Sequence, residues 1–119
     1  MSREANKADK RARIREAAAS LFVERGFDAT TTSAVAERAG VAKGTLFLYA
    51  STKEDLVALV FEHRLDGAIE RAFETLPEGG GVADEAEHVF GVLLAFYAPQ
   101  PELARIFVRE FHRMRARAR

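Results

Sequence analysis

AERAGVAKGTLFLYASTKEDL, residues 36–56, reads as the end of one short helix, a tight turn, a second short helix and the start of a longer one. Its spacing carries the information. Counting from Thr32, the fifth residue is Ala36, the ninth Gly40 and the fifteenth Leu46. Two helices that cross closely need a small residue at the crossing, which Ala36 supplies. A sharp turn between them needs a residue that tolerates positive φ, which Gly40 supplies. The second helix needs an apolar anchor, and Leu46 supplies it, with Val35, Ala39 and Val41 completing the inward surface. Such a pattern fits a helix-turn-helix and also the corner of a helical bundle.

The surrounding chain is helical in character. Alanine, arginine, glutamate and leucine dominate, and only three prolines occur among 119 residues. Upstream, Ile14, Ala17, Ala18, Leu21 and Phe22 form one apolar stripe of a first helix that is expected to run to about Arg25 and stop at Gly26. One threonine of Thr30–Thr32 is expected to cap the second helix. Downstream, Ser51 or Thr52 is a cap candidate for a fourth helix, with Glu54 and Asp55 favouring its N-terminal dipole. Its apolar positions, from Leu56 through Ala68, Ile69, Phe73 and Leu76, carry it to Pro77. PEGGG, residues 77–81, is a linker. A fifth helix is expected from near Asp84 to Ala98, burying Val89, Phe90, Leu93, Leu94 and Tyr97. Pro99 and Pro101 break it, and Leu103, Ile106, Phe107 and Phe111 then recur at helical spacing. The expected fold is all-α.

A formal net charge of zero conceals a pattern. Residues 1–53 hold ten Lys/Arg against six Asp/Glu, residues 54–104 two against eleven, and residues 105–119 six against one. Attraction to a polyanion is set by local charge within a screening length of about 8 Å, so the basic first third remains free to meet one. The absence of cysteine excludes disulfide frameworks, thiolate catalysis and thiolate zinc sites. No segment approaches the roughly 20 apolar residues of a membrane span, and no signal-peptide run opens the chain, so a cytoplasmic location and no membrane partner are expected.

The run GFDATTTSAVAERAGVAKGTLFLYASTKEDL, residues 26–56, resembles the N-terminal DNA-binding domain of the tetracycline-repressor (TetR) family. Phe22 with Gly26-Phe27 is similar to the family's opening, and the threonine cluster with Ala36, Ala39, Gly40 and Val41 to its second helix. Lys43-Gly44-Thr45-Leu46 resembles the start of its recognition helix, and Thr52-Lys53-Glu54 with Leu56 the start of its fourth. The resemblance covers about residues 10–70, with the helix-turn-helix at about 32–51, and leaves 71–119 as a partial helical regulatory and dimerisation domain.

The resemblance implies roles for particular residues. Thr30 and Thr31 would cap the second helix and offer a hydroxyl or N–H to phosphate. Ala42, Lys43, Gly44 and Thr45 would enter a major groove, Lys43 reaching a guanine edge or a phosphate and Thr45 a base edge. Gly44 would allow close backbone approach, and Leu48 would face a thymine methyl. Tyr49 and Lys53 would contact flanking phosphates. Phe47 stands where the family usually has tyrosine, so one phosphate contact is expected to be lost. Ala50 replaces an aromatic and Ser51 a proline or lysine, so looser packing of the recognition helix is expected.

The family also implies a homodimer on a palindromic double-stranded DNA operator, released by a small-molecule effector. An effector pocket would draw on Phe61, Leu65, Phe90, Leu94, Tyr97, Phe107 and Phe111. Family members are longer than this chain and dimerise through late helices, so a shortened form, a short family member and one that dimerises differently all fit, and the completeness of the pocket and the dimer are left open. No enzyme, cofactor or metal site is expected. Glu85 and His88 share a helix face, but neither His63 nor His112 has a glutamate three residues before it to complete a bundle metal site. The competing functional class is an all-α protein-interaction module in which the helix-turn-helix is only structural.

Overall fold

A computed structural model describes residues 2–118, with the side chains at 111, 112 and 114–118 outside the described set. The described residues form six helices, α1 (Arg3–Ala29), α2 (Thr32–Ala39), α3 (Lys43–Tyr49), α4 (Lys53–Glu74), α5 (Val82–Tyr97) and α6 (Pro101–Ala118). The all-α expectation holds among them. Helix α1 packs on α2 and α4, α2 packs on α3, and α4 continues to carry α5 and α6. Helix α4 is therefore shared by the three-helix head and the helices that follow.

The apolar stripe of α1 is buried as its spacing requires, with Ile14, Ala17, Ala18, Leu21 and Phe22 all inward. Gly26 interrupts the helix with φ of 80°, and a further helical turn follows it rather than a loop. Thr31 is the cap of α2, its hydroxyl accepting from the Ala34 N–H at 3.1 Å. Gly40 ends α2 in the left-handed region at φ 70° and ψ 34°, and the Val41 N–H returns to the Ala36 carbonyl at 3.0 Å. Thr52 caps α4 in a reciprocal box. Its hydroxyl accepts from the Asp55 N–H, and the Asp55 carboxylate accepts from the N–H groups of Thr52 and Ser51.

The second half departs from the periodic reading. Helix α4 ends at Glu74, short of Pro77, and its last apolar residues Ile69 and Phe73 are exposed while Ala68 and Ala72 face inward. In α5 no residue is fully buried: Phe90 and Leu94 point to solvent, and Val89, Leu93 and Tyr97 are half-buried. Val89, Val92, Leu93 and Phe96 recur at helical spacing as the half-buried side of α5, which packs on α4 and leaves Phe90 and Leu94 outside it. Helix α6 opens with Pro101, where a missing N–H costs nothing, and buries Leu103, Ala104, Ile106 and Phe107.

No atom lies within 4 Å of a Cβ built on Gly40, so its requirement is conformational and not steric. Gly40→Ala is expected to destabilise the chain by about 1–2 kcal/mol, the cost of a left-handed residue bearing a Cβ. Urea unfolding checks this, and an unchanged midpoint would mean that the turn relaxes.

Candidate nucleic-acid interface

Helix α3 has seven residues, too few to persist alone in water. Leu46 is wholly buried and Ala50 nearly so, which places the opposite face outward. At 100° per residue, Gly44 and Leu48 lie opposite Leu46 with Phe47 beside them, and Lys43 opens the helix in the first turn; all four are exposed. Leu48 is 83% exposed and Phe47 42%. The Lys43 ammonium lies 5.8 Å from the Phe47 ring centroid, a cation held over an aromatic face at the head of the helix. Ala42, the cap residue, is also exposed and makes no side-chain cap bond. Ala50, in place of the family's aromatic, is buried.

Thr45 and Tyr49 sit at the edges of this face, half-buried. Tyr49 packs against the core, and the Arg11 guanidinium of α1 stands 5.8 Å from its ring centroid. Arg11 also faces Glu62 of α4. Burial pushes the Glu62 carboxyl above its ordinary range, Arg11 draws it back down, and Asp66 adds to the rise.

Two residues expected at phosphates have partners within the protein. Thr30 is fully buried, and its hydroxyl donates inward to the carbonyls of Gly26 at 2.7 Å and Leu21 at 3.2 Å. It closes the break at Gly26 and has no hydroxyl to offer a phosphate. Thr31, one residue on, is exposed at the N-terminus of α2 and keeps a free O–H while its oxygen caps the helix. Lys53 is the second. Its ammonium donates to the carbonyls of Phe27 at 2.8 Å and Asp28 at 3.3 Å and lies 4.4 Å from the Phe27 ring centroid. Carbonyls at the C-terminal end of α1 attract a cation there. Lys53 thus ties the start of α4 to the end of α1, a role that helical periodicity could not show.

Among the described residues, those expected to line an effector pocket fall in different surroundings. Phe61 and Phe107 stack at 5.5 Å inside the core, with Phe96 set edge-on against Phe61, and Leu65 packs beside them. Phe90 is exposed, and the Phe111 side chain lies outside the described residues. Leu94 and Tyr97 line a largely apolar groove of about 610 Å³ with Pro101, Ala104 and Val108, and Arg105 and Arg109 complete it. A second cleft, of about 550 Å³, has no counterpart in the sequence pattern beyond the periodic placement of arginines along α6. Phe27, Asp28 and Glu54 of the head line it on one side and Arg105, Arg109 and Glu110 of α6 on the other. Glu110 is buried there with the Arg113 guanidinium donating to it at 3.2 Å. His88 takes part in no metal cluster among the described residues. Thr75 donates to the Arg71 carbonyl at 2.6 Å, so the 2.8 Å contact between His88 Nε2 and Thr75 Oγ1 has the imidazole as donor. It joins α5 to the end of α4.

Residues 14–60 match the model of bacterial regulatory proteins of the tetR family. The chain is 36% identical over 72 residues to the fatty acid metabolism regulator protein of Bacillus subtilis, covering 60% of this chain and 37% of that protein. It is 33% identical over 73 residues to the HTH-type transcriptional repressor KstR2 of Rhodococcus jostii, covering 61% and 36%. Among solved structures, Thermus thermophilus FadR, a TetR-family transcriptional repressor in complex with lauroyl-CoA, is similar at TM-score 0.69 and 34% identity, covering 79% of this chain and 48% of that one. The chain spans about a third of the length of the curated relatives it matches. No helix among the described residues is long and apolar enough to cross a membrane.

Two outcomes test the seams around α3. Lys53→Met keeps an apolar stem over Phe27 and deletes the ammonium. Stability is expected to fall by about 1–2 kcal/mol, with the salt dependence of DNA affinity unchanged. A slope lowered by about one unit at unchanged stability would instead make Lys53 a phosphate ligand. Because the carboxyl of Glu62 is raised in the folded chain, the folded state binds its proton more tightly than the unfolded one. Stability from this group is therefore present at acid pH and lost as pH rises through the raised value. Glu62→Gln is expected to raise the urea midpoint at neutral pH, with the gain disappearing below its ordinary value of 4.5.

Proposed function

Because the chain belongs through residues 14–60 to the TetR family of bacterial regulatory proteins, we propose that it is a transcriptional repressor. It binds a palindromic double-stranded operator as a homodimer and is released by a small-molecule effector. The observation that carries the reading is the outward face of α3, where Lys43, Gly44, Phe47 and Leu48 are exposed on a helix anchored by Leu46. A face with two apolar side chains, a cation and a bare backbone position has no use in solvent. It matches the mixed chemistry of a major groove, where guanine edges accept hydrogen bonds and thymines present methyl groups.

In this reading Lys43 donates to a guanine edge, Leu48 meets a thymine methyl and Gly44 lets the helix backbone approach. Ala42 and Thr45 flank these contacts, and Phe47 adds apolar surface without the hydroxyl that a tyrosine would bring. Thr31 and Tyr49 hold phosphates on either side. Residues 10–70 form the DNA-binding unit and 71–119 part of the regulatory and dimerisation unit. Twofold symmetry would set the two recognition helices about 34–36 Å apart, in successive major grooves. The apolar groove at Leu94, Tyr97 and Val108 supports an effector with a substantial apolar portion, as does the lauroyl-CoA bound by the Thermus thermophilus relative. Exposed Phe73, Phe90 and Leu94 favour a second reading, a protein-interaction module, whose binding would be insensitive to salt.

Selection of bound DNA from a random pool by the purified chain tests the reading. Recovery of a two-half-site palindrome at moderate salt is expected, whereas recovery of only bulk, salt-sensitive DNA would sink it. On the recovered site, Lys43→Ala is expected to cost about 1–3 kcal/mol and to relax preference at one base pair. Gly44→Ala separates stability from function. A Cβ there meets nothing within 4 Å, so the helix gains up to about 0.5 kcal/mol while operator affinity falls.

A further inference from the structure

Helix α1 begins well before the core does. Residues 2–11 are all exposed, and the first buried side chain is Ile14. Ser2 caps this arm, its hydroxyl accepting from the Ala5 N–H at 3.1 Å, and Glu4 sits in the first turn. A helix of so few residues is marginal by itself, so it persists as an extension of the packed turns that follow.

The pattern along it is informative. Arg3, Lys7, Lys10, Ile14, Ala17 and Leu21 follow one another in alternating steps of four and three, which places all six on one helix face. Ile14, Ala17 and Leu21 are the buried core face. In the preceding turns the same face carries three cations. A merely solvated extension has no reason to collect its cations on that face and keep its carboxylates off it. Glu4 and Asp9 lie to the sides, and Asp9 is held 3.7 Å from Arg13. Among the described residues Arg3, Lys7 and Lys10 have no ion-pair partner. The arm leaves the core beside the recognition helix. Arg11, the next residue, lies against Tyr49, which ends α3.

We propose that the arm is a second DNA-binding element: Arg3, Lys7 and Lys10 engage the backbone phosphates of the duplex flanking the half-site that α3 reads. The three cations span about 10 Å of helix and present flexible point charges, chemistry suited to a phosphate backbone and blind to base sequence. The proposal rests on the operator-binding reading of α3. It adds a division of labour in which α3 sets sequence preference and the arm sets much of the affinity and its salt dependence.

The test compares the full chain with an Arg3→Ala, Lys7→Ala, Lys10→Ala variant on two duplexes carrying the selected site. One has about ten extra base pairs on each side, and the other ends at the edges of the half-sites. On the long duplex the variant is expected to bind at least about tenfold more weakly, with a salt slope lower by two to three units for three phosphates released. Base preference should be unchanged. Trimming the flanks should weaken the parent chain to the variant's level and leave the variant unaffected. Equal affinities and slopes for both proteins on both duplexes would overturn the arm. Lys43→Ala separates the two readings, since it should lose base preference and keep the flank dependence. A parent chain that selects no sequence would remove the operator reading, and the arm's role with it. All three residues are exposed, so the circular dichroism spectrum and urea midpoint of the variant should match the parent's closely enough to exclude misfolding.

Discussion

The seating of Leu46 is the constraint on which the head depends. A seven-residue helix has too few hydrogen bonds to outweigh its own nucleation, so α3 exists because one leucine and one alanine are buried against α1 and α2. That burial sets the rotation of α3 about its axis, and rotation decides which side chains face out. The left-handed turn at Gly40 sets the angle at which α3 arrives, through the return bond from the Val41 N–H to the Ala36 carbonyl. Shift either by one residue and Lys43 and Leu48 leave the exposed face.

The head is joined to the rest of the chain by α4, and that joint is held chemically as well as covalently. Lys53, the first residue of α4, donates to the last carbonyls of α1 and covers Phe27, which stacks on Phe22 in the core at 5.9 Å. Phe27 and Asp28 also wall the charged cleft whose other side is α6. Beyond this joint the packing thins. Phe61 stacked on Phe107 and edged by Phe96 forms a compact aromatic knot, while α5 carries Phe90 and Leu94 uncovered.

Much of the head is legible in the sequence. The small residue, the glycine and the leucine at their fixed intervals, Thr31 as one of three named cap candidates, and Thr52 as one of two all involve interactions within about fifteen residues. Local hydrogen-bond demand and helical period dictate these directly. The features beyond the reach of local pattern share a cause. Thr30 and Thr31 are neighbours of one type, and only the break at Gly26 assigns one hydroxyl to the interior and the other to the surface. Lys53 meets carbonyls twenty-five and twenty-six residues away. The aromatics assigned to a single pocket all have the right period, yet period does not say which side of a helix a neighbour covers, and Phe61 and Phe90 ended on opposite terms with solvent.

By itself the sequence determined that this chain is helical, where its head turns, and that its cations gather at the two ends of an otherwise acidic chain, because backbone propensity, capping and charge are properties of neighbouring residues. Tertiary structure alone decided the outward face of α3, the inward hydroxyl of Thr30, the tie at Lys53 and the bare side of α5. Each of these depends on which surface another helix occupies. That is settled by the competition among apolar stripes for a limited core, a contest no single stretch of sequence contains.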